Sequence, residues 1–474
     1  MEYIKLSPEL KQTITPEQAW YYKVVPYYGE DNDYTLCFSI GTLDNTVIKE
    51  LEVLLGRKFR TKLVQPEIIE KTLSVYYRKS NPSTALTTTA LGVEDDDFIE
   101  KVLSDALYQK ASDIHIEIYE GLARVRFRID GKMVERYLIG LNEYPSIVNK
   151  FKIKANLDIA EKRLPQDGRI SYKHSNNQLD IRVSVIPAIF GEKIVLRLLG
   201  HDATEIDIHE LGFFSDQLST YIQSLKKSHG LVLVSGPTGS GKTTTLYATL
   251  KILNKEDVNI LTIEDPVEYT LRGINQVQVK ESIGLDFATS LRTFLRQDPD
   301  IIMIGEIRDS ETAQMAIRAA LTGHLVLSTI HTNSGWGTVA RLIDMGIPSY
   351  LLADTLTLTI AQRLVRILCP ICKTQTTFSS EILPPNFILP FKVDNYYKPV
   401  GCPKCFYTGY SGRKAVYELI PITFELADCI KFNLKSAMQY FEHNPYKKLS
   451  ESAFDLFAEG STSSEEIYPI LLTT

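Results

Sequence analysis

Eight residues constrain this chain more than any others: Gly236-Pro237-Thr238-Gly239-Ser240-Gly241-Lys242-Thr243. They stand between the apolar run LVLVS and the helix-forming TTLYATLKIL, so strand, glycine-rich loop and helix follow in the order a phosphate-binding loop requires. Glycines let the backbone turn tightly enough to aim successive N–H groups at a phosphate, and the helix adds the positive end of its dipole. Lys242 is expected to neutralise the β- and γ-phosphates of a bound nucleotide, and the Thr243 hydroxyl to ligate Mg²⁺.

The surrounding pattern agrees. After Glu210 the chain repeats an apolar strand, a glycine or acidic loop and a helix, in LVLVSG, NILTIED, IIMIGE and LVLSTIH. That alternation predicts a parallel sheet with helices on its faces. Two acidic loops fall at strand ends, where an open parallel sheet places its ligands: Glu264-Asp265 and Glu306. Nucleotide hydrolysis needs one carboxylate near the Mg²⁺ shell and one to orient the attacking water, and these two positions can fill both roles. Asp300 precedes its strand and belongs at the far end. His324 and His331 bracket LVLSTI; a strand-end histidine beside a γ-phosphate can report its presence, and a satisfied structural histidine is the other reading.

At 474 residues the chain is long enough for roughly three domains. Residues 1–80 show helical spacing at Val47, Leu51, Leu54 and Leu55 and again at Ile68, Ile69 and Leu73, as expected of a small N-terminal α/β domain. Residues 81–97 have no apolar period and read as a linker. Residues 98–204 give a helix and then alternating strands, with a hairpin signal at Asp130-Gly131, which predicts an α+β second domain. The nucleotide-binding domain is expected over 205–368, a tetracysteine subdomain over 369–412 and a mostly helical region over 413–474. The fold class is therefore multidomain α/β.

Six cysteines include two CxxC pairs, Cys369–Cys372 and Cys402–Cys405. Two-residue spacing lets both thiolates of a knuckle reach one tetrahedral Zn²⁺, and redox chemistry would need only one pair. The 29 intervening residues are more than the commonest zinc-ribbon spacing. A closed four-thiolate shell would stabilise a subdomain rather than catalyse.

Fifty-two basic against 58 acidic residues leave a net charge of -6, which gives no general attraction to nucleic acid or anionic lipid. No apolar run approaches the ~20 residues of a spanning helix, and MEYIKLSPELKQ lacks a secretory signal pattern, so a cytosolic location is expected.

With these residues read, the chain resembles the secretion ATPase superfamily of type II secretion and type IV pilus assembly, the GspE/PilB type. LRQDPDIIMIGEIRD (295–309) resembles that family's signature and TGHLVLSTIHTN its histidine box. Further similarity lies in ASDIHIE, EKRLPQDGRI, GEKIVLRLL, TIEDPVEY and AQRLVRILCPIC. The resemblance implies a RecA-like ATPase domain and a homo-hexamer in which nucleotide lies between the second and ATPase domains, whose rotation is coupled to turnover. It places Glu264 in the acidic box beside the attacking water and Glu306 in the Walker B position near Mg²⁺, leaving open which is the effective base. Second-domain arginines are candidates for phosphate contact, of which Arg169, Arg182 and Arg197 are chosen. The family's zinc module occurs in its secretion and pilus-extension members, which favours an assembly motor. The N-terminal residues are expected to dock on the cytoplasmic domain of an inner-membrane platform protein, with peripheral membrane association through partners and no direct nucleic-acid contact. A nucleic-acid translocase and a non-catalytic ATP-binding scaffold are the competing classes.

Overall fold

The computed structural model describes residues 4, 6, 10, 13–28, 34–40, 45–55, 57–77, 96–174, 177–198 and 207–472. The expected linker at 81–97 lies outside these, apart from Asp96 and Asp97, and so does the expected boundary at 204/205. The chain divides into two compact units: 1–198 with 368–376 and 397–411, and 199–367 with 377–396 and 412–474.

In the first unit, α1 (Pro16–Tyr21) starts with a capping box: Thr15 Oγ1 accepts the Gln18 N–H, and the Gln18 side chain accepts the Thr15 N–H. Strands β1 (Val24–Tyr28) and β2 (Tyr34–Ser39) pair antiparallel, and β3 (Arg60–Val64) joins β2 in parallel across α2 (Asn45–Leu55), with α3 (Pro66–Tyr76) following. Leu51, Ile69 and Leu73, taken from the helical period, are buried here with Val24, Val25, Leu36 and Phe38. The Leu54 side chain lies outside the described residues.

Next come α4 (Asp96–Tyr108), β4 (Asp113–Tyr119), β5 (Leu122–Ile129), β6 (Lys132–Ile139), α5 (Tyr144–Lys154), β7 (Gln166–His174), β8 (Asn177–Ala188) and β9 (Gly191–Leu198). The six strands form an antiparallel sheet in the order β6-β5-β4-β9-β8-β7. Period-2 alternation sends Ile114, Ile116, Val125, Phe127, Val183 and Ile194 to one face, where α4 and α5 cover them. The opposite face is polar. There Glu117 is buried among Arg124, Arg126 and Lys193; burial pushes its carboxyl up, but the Arg126 and Lys193 hydrogen bonds outweigh that and hold it at about 2. Asp130 and Gly131 both have positive φ, 48° and 82°, as the hairpin turn between β5 and β6 requires.

In the second unit α6 (Ser215–Leu225) precedes β10 (Gly230–Ser235), α7 (Lys242–Leu253), β11 (Ile260–Glu264), β12 (Asn275–Gln278), α8 (Phe287–Phe294), β13 (Ile301–Ile304), α9 (Ser310–Leu321), β14 (Leu325–Ile330), α10 (Gly335–Asp344), α11 (Ser349–Thr355) and β15 (Leu356–Leu368). Along the chain after these, with 368–376 and 397–411 counted in the first unit, are β16 (Thr374–Thr377), β17 (Asn395–Lys398), β18 (Tyr410–Pro421), α12 (Phe424–Phe432), α13 (Ser436–His443), α14 (Leu449–Ala458) and α15 (Ser464–Leu471). Seven strands make one sheet in the order β12-β11-β13-β14-β10-β15-β18, and β12 through β15 in that order are parallel neighbours. Helices cover both faces. Leu231 and Leu233 pack with α8, α9 and α10, whereas Val232 and Val234 pack with α6 and α7, which is why these strands read as unbroken apolar runs. The tail differs in one respect from the helical expectation: residues 413–421 complete β18 before α12 begins. A strand that is buried on both faces shows no alternation to identify it.

In the first unit Lys152 is fully buried, and its Nζ donates to Glu192 Oε1 at 2.8 Å and to the Glu161 carbonyl at 2.7 Å. Glu192→Ala leaves that ammonium without its counter-charge and is expected to lower unfolding stability by about 3–5 kcal/mol. Replacing both by apolar residues should cost less. Denaturant unfolding of the single and double variants checks this; equal losses would contradict it.

Candidate functional site

Because β10, β11, β13 and β14 run parallel, their C-terminal ends share one edge of the sheet. The glycine loop leaves β10 there. Gly236 has φ 149°, and a Cβ on it would meet the Gln362 carbonyl at 2.5 Å and Ser240 Oγ at 2.6 Å. Gly241 has φ 87° and would meet Gln362 Nε2 at 2.8 Å. These positions admit no side chain. Gly241 caps α7 without a side-chain hydrogen bond, so the first-turn N–H groups of that helix face the loop. The buried Ser240 Oγ has no hydrogen-bond partner among the described residues. Open amide donors, a Cβ-free cradle and an orphaned hydroxyl together fit a phosphate group.

Lys242 Nζ lies over the loop, donating to the carbonyls of Gly236 at 2.8 Å and Pro237 at 3.1 Å. Burial lowers its affinity for the proton, Glu306 counters this, and Arg363 adds to the lowering. Lys242, Glu306 and Arg363 thus share one electrostatic neighbourhood. Thr243 is exposed on the first turn of α7, where a ligand could reach its hydroxyl.

Glu306 follows β13. Its Oε1 accepts from Arg308 and its Oε2 lies 3.1 Å from His331 Nε2. Burial pushes the carboxyl up, but Arg308 and His331 outweigh it and hold it below the ordinary range. Arg308 also lies 3.5 Å from Asp265, so it bridges the two acidic loops. Glu264 ends β11 beside Gly305 and is 3% exposed, with both oxygens hydrogen-bonded to Tyr247, Thr262 and Gln276. The edge therefore gathers the expected loop, Glu264, Glu306 and His331. His324 lies at the other end of β14, bonded to the Ala319 carbonyl at 2.9 Å, and Asp300 caps the start of β11 through the Asn259 N–H at 2.7 Å.

Arg169, Arg182 and Arg197 belong to the first unit and stand as direct cross-strand neighbours on β7, β8 and β9. Arg197 pairs with Asp113 at 3.1 Å, and Arg128 joins from the other side at 3.3 Å. The three candidates form one row on the polar face.

The four cysteine sulfurs lie within 4.8 Å of one another, with Cys369–Cys402, Cys372–Cys405 and Cys402–Cys405 at 3.9, 3.8 and 3.8 Å. A tetrahedral ion with bonds of about 2.3 Å has edges of about 3.8 Å, so the set fits a metal. Backbone N–H groups of Gly401, Cys402 and Gly409 point at the sulfurs from 3.2–3.3 Å, a donor set that favours thiolates. The long spacer has its own explanation: Phe378, Phe387, Phe391 and Tyr396 pack on Phe454 and Phe457 of α14.

Sequence reasoning passed over Arg308, Gln362, Arg363 and Tyr247. Gln362 on β15 donates to the Ser240 carbonyl at 2.8 Å and accepts from Thr245 Oγ1 at 2.9 Å, so it braces the loop from the strand beside β10. Arg363 donates to the Gln362 and Asn333 carbonyls, each at 3.0 Å. The available signals were the Arg in GEIRD and the Gln-Arg of AQRL. Tyr247 stands four residues after Thr243, on the same helix face.

A family model described as "Type II/IV secretion system protein" matches residues 94–469. The type IV pilus assembly ATPase PilB of Myxococcus xanthus is 42% identical over 449 residues, covering 89% of this chain and 79% of that protein. The type II secretion system ATPase E of Vibrio cholerae is 38% identical over 481 residues and 94% of both chains. Among solved structures, the pilus retraction motor PilT with bound ADP aligns at a TM-score of 0.53 and 25% identity, over 78% of this chain and 96% of that one.

Gln362→Ala would leave the buried Thr245 hydroxyl and Ser240 carbonyl unpaired, and is expected to destabilise the second unit by about 1–3 kcal/mol. A thermal melt unchanged from the wild type would contradict that bracing role.

Proposed function

The chain belongs to the family of type II and type IV secretion system proteins, and from that premise we propose that it is a motor ATPase driving assembly of a secretion pseudopilus or type IV pilus. The observation that carries the reading is the single sheet edge where the Cβ-free loop, Lys242, Glu306, His331 and Glu264 converge. In this reading residues 236–243 cradle the phosphates and Lys242 leaves the loop carbonyls to meet their charge. Thr243 and Glu306 would hold Mg²⁺, which supplies charge neutralisation on the β- and γ-phosphates when bound. Glu264 orients the attacking water. His331, hydrogen-bonded to Glu306, fixes the direction of that carboxylate. Arg169, Arg182 and Arg197, aligned in one row, are in this reading the candidates for phosphate contact through their guanidinium groups.

The same reading takes the working form as a homo-hexamer at the cytoplasmic face of the inner membrane, docked through residues 1–80 on a platform protein. No helix among the described residues is long and apolar enough to cross a membrane, which is compatible with attachment through partners. The domain division at 81–97, 204/205, 368/369 and 412/413 belongs to this proposal. Cys369, Cys372, Cys402 and Cys405 take Zn²⁺ in a closed structural shell.

Lys242→Ala and Glu306→Ala are each expected to abolish steady-state phosphate release while leaving the circular dichroism spectrum and melt close to wild type. Normal turnover in either variant would sink the site assignment. Elemental analysis should find about one zinc per chain, lost on replacing Cys402 and Cys405 by Ser. A metal-free wild-type preparation with four titratable thiols in this region would contradict the zinc assignment.

A further inference from the structure

The helix that carries the phosphate loop reaches Glu264 through one side chain. Thr243 and Tyr247, four residues apart on α7, project from the same face on successive turns. Tyr247 is fully buried, and its hydroxyl donates to Glu264 Oε2 while accepting the Glu268 N–H at 3.4 Å. Its ring packs edge-on against Tyr269 with centroids 4.5 Å apart. Burial, followed by the Glu264 hydrogen bond, pushes the phenol well above its ordinary value, so it remains a donor.

The other oxygen, Oε1, accepts from Thr262 Oγ1 at 2.6 Å and from Gln276 Nε2 at 3.1 Å. Three donors occupy most of a carboxylate's roughly four acceptor directions and fix its plane. Thr262 and Gln276 lie on β11 and β12, so they hold Glu264 to its own end of the sheet. Tyr247 differs in origin: it comes from the helix that begins at Lys242 and Thr243.

We propose that Tyr247 is a positioning residue for hydrolysis, whose hydroxyl ties the Glu264 carboxylate to the phosphate-loop helix. The group that orients water is then placed by the same element that grips the nucleotide, and a small displacement of α7 moves both together. This rests on the reading of Glu264 as the water-orienting carboxylate. A purely packing role is the opposing account, and it is separable, because Phe keeps the ring contact with Tyr269 and removes only the hydroxyl.

The test uses the full-length protein with Mg²⁺-ATP as substrate and a fluorescent ATP analogue for affinity. Tyr247→Phe is expected to lower kcat by about 10–100-fold, with KM and nucleotide Kd within about twofold of wild type. Installing 4-aminophenylalanine at 247 restores a donor and should recover most of the loss. Tyr221→Phe removes a comparable buried hydroxyl, one bonded at 2.6 Å to Thr249 of the same helix, and should leave kcat near wild type. The proposal is overturned if Tyr247→Phe turns over normally, if its loss follows KM and Kd, if the amino variant recovers nothing, or if Tyr221→Phe loses as much. Glu264→Gln separates the two levels. Normal turnover in that variant defeats the reading of Glu264 and the proposal with it, whereas an inactive Glu264→Gln beside a normal Tyr247→Phe defeats the positioning role alone.

Discussion

A triphosphate can be held at a protein surface only where several N–H donors and cations are fixed before it arrives, since ordering them afterwards would consume the binding energy. Here the constraint is met by the sharp turn out of β10, in which Gly236 and Gly241 leave no room for a side chain against Gln362. Much of the second unit serves that turn. The apolar strands bury it from beneath, β15 braces it through Gln362, and α7 aims its open amides along it.

Parallel pairing does the rest, because it brings the ends of β10, β11, β13 and β14 to one edge whatever lies between them in sequence. Residues as distant in sequence as Glu264, Glu306 and His331 thereby come to one edge of the sheet. Their side chains are not independent: Arg308 spans the two acidic loops, His331 holds Glu306, and Tyr247 holds Glu264. Such bridges fix the carboxylates at the strand ends relative to one another and to the helix of the glycine loop.

Much of this was legible beforehand, for reasons that can be named. The loop reads directly because glycine and lysine are needed at fixed places, and the acidic and histidine positions read because they follow apolar runs. Cysteine spacing likewise identified a set of sulfurs with near-tetrahedral edges. What sequence hid were the supports. Gln362 and Tyr247 sit in segments whose local pattern suits ordinary core, and only the register of β15 against β10 and the turn of α7 reveal their partners. Residues 413–421 similarly read as part of a helical tail because a doubly covered strand carries no alternation. The length of the spacer between the cysteine pairs is taken up by aromatic residues that pack against α14.

The central claim is that this edge binds and splits ATP. Its most direct measurement is phosphate release by the purified full-length chain supplied with ATP, with and without Mg²⁺. The account predicts sustained, Mg²⁺-dependent release with one phosphate per ATP consumed. A folded preparation that neither bound nucleotide nor released phosphate would contradict it.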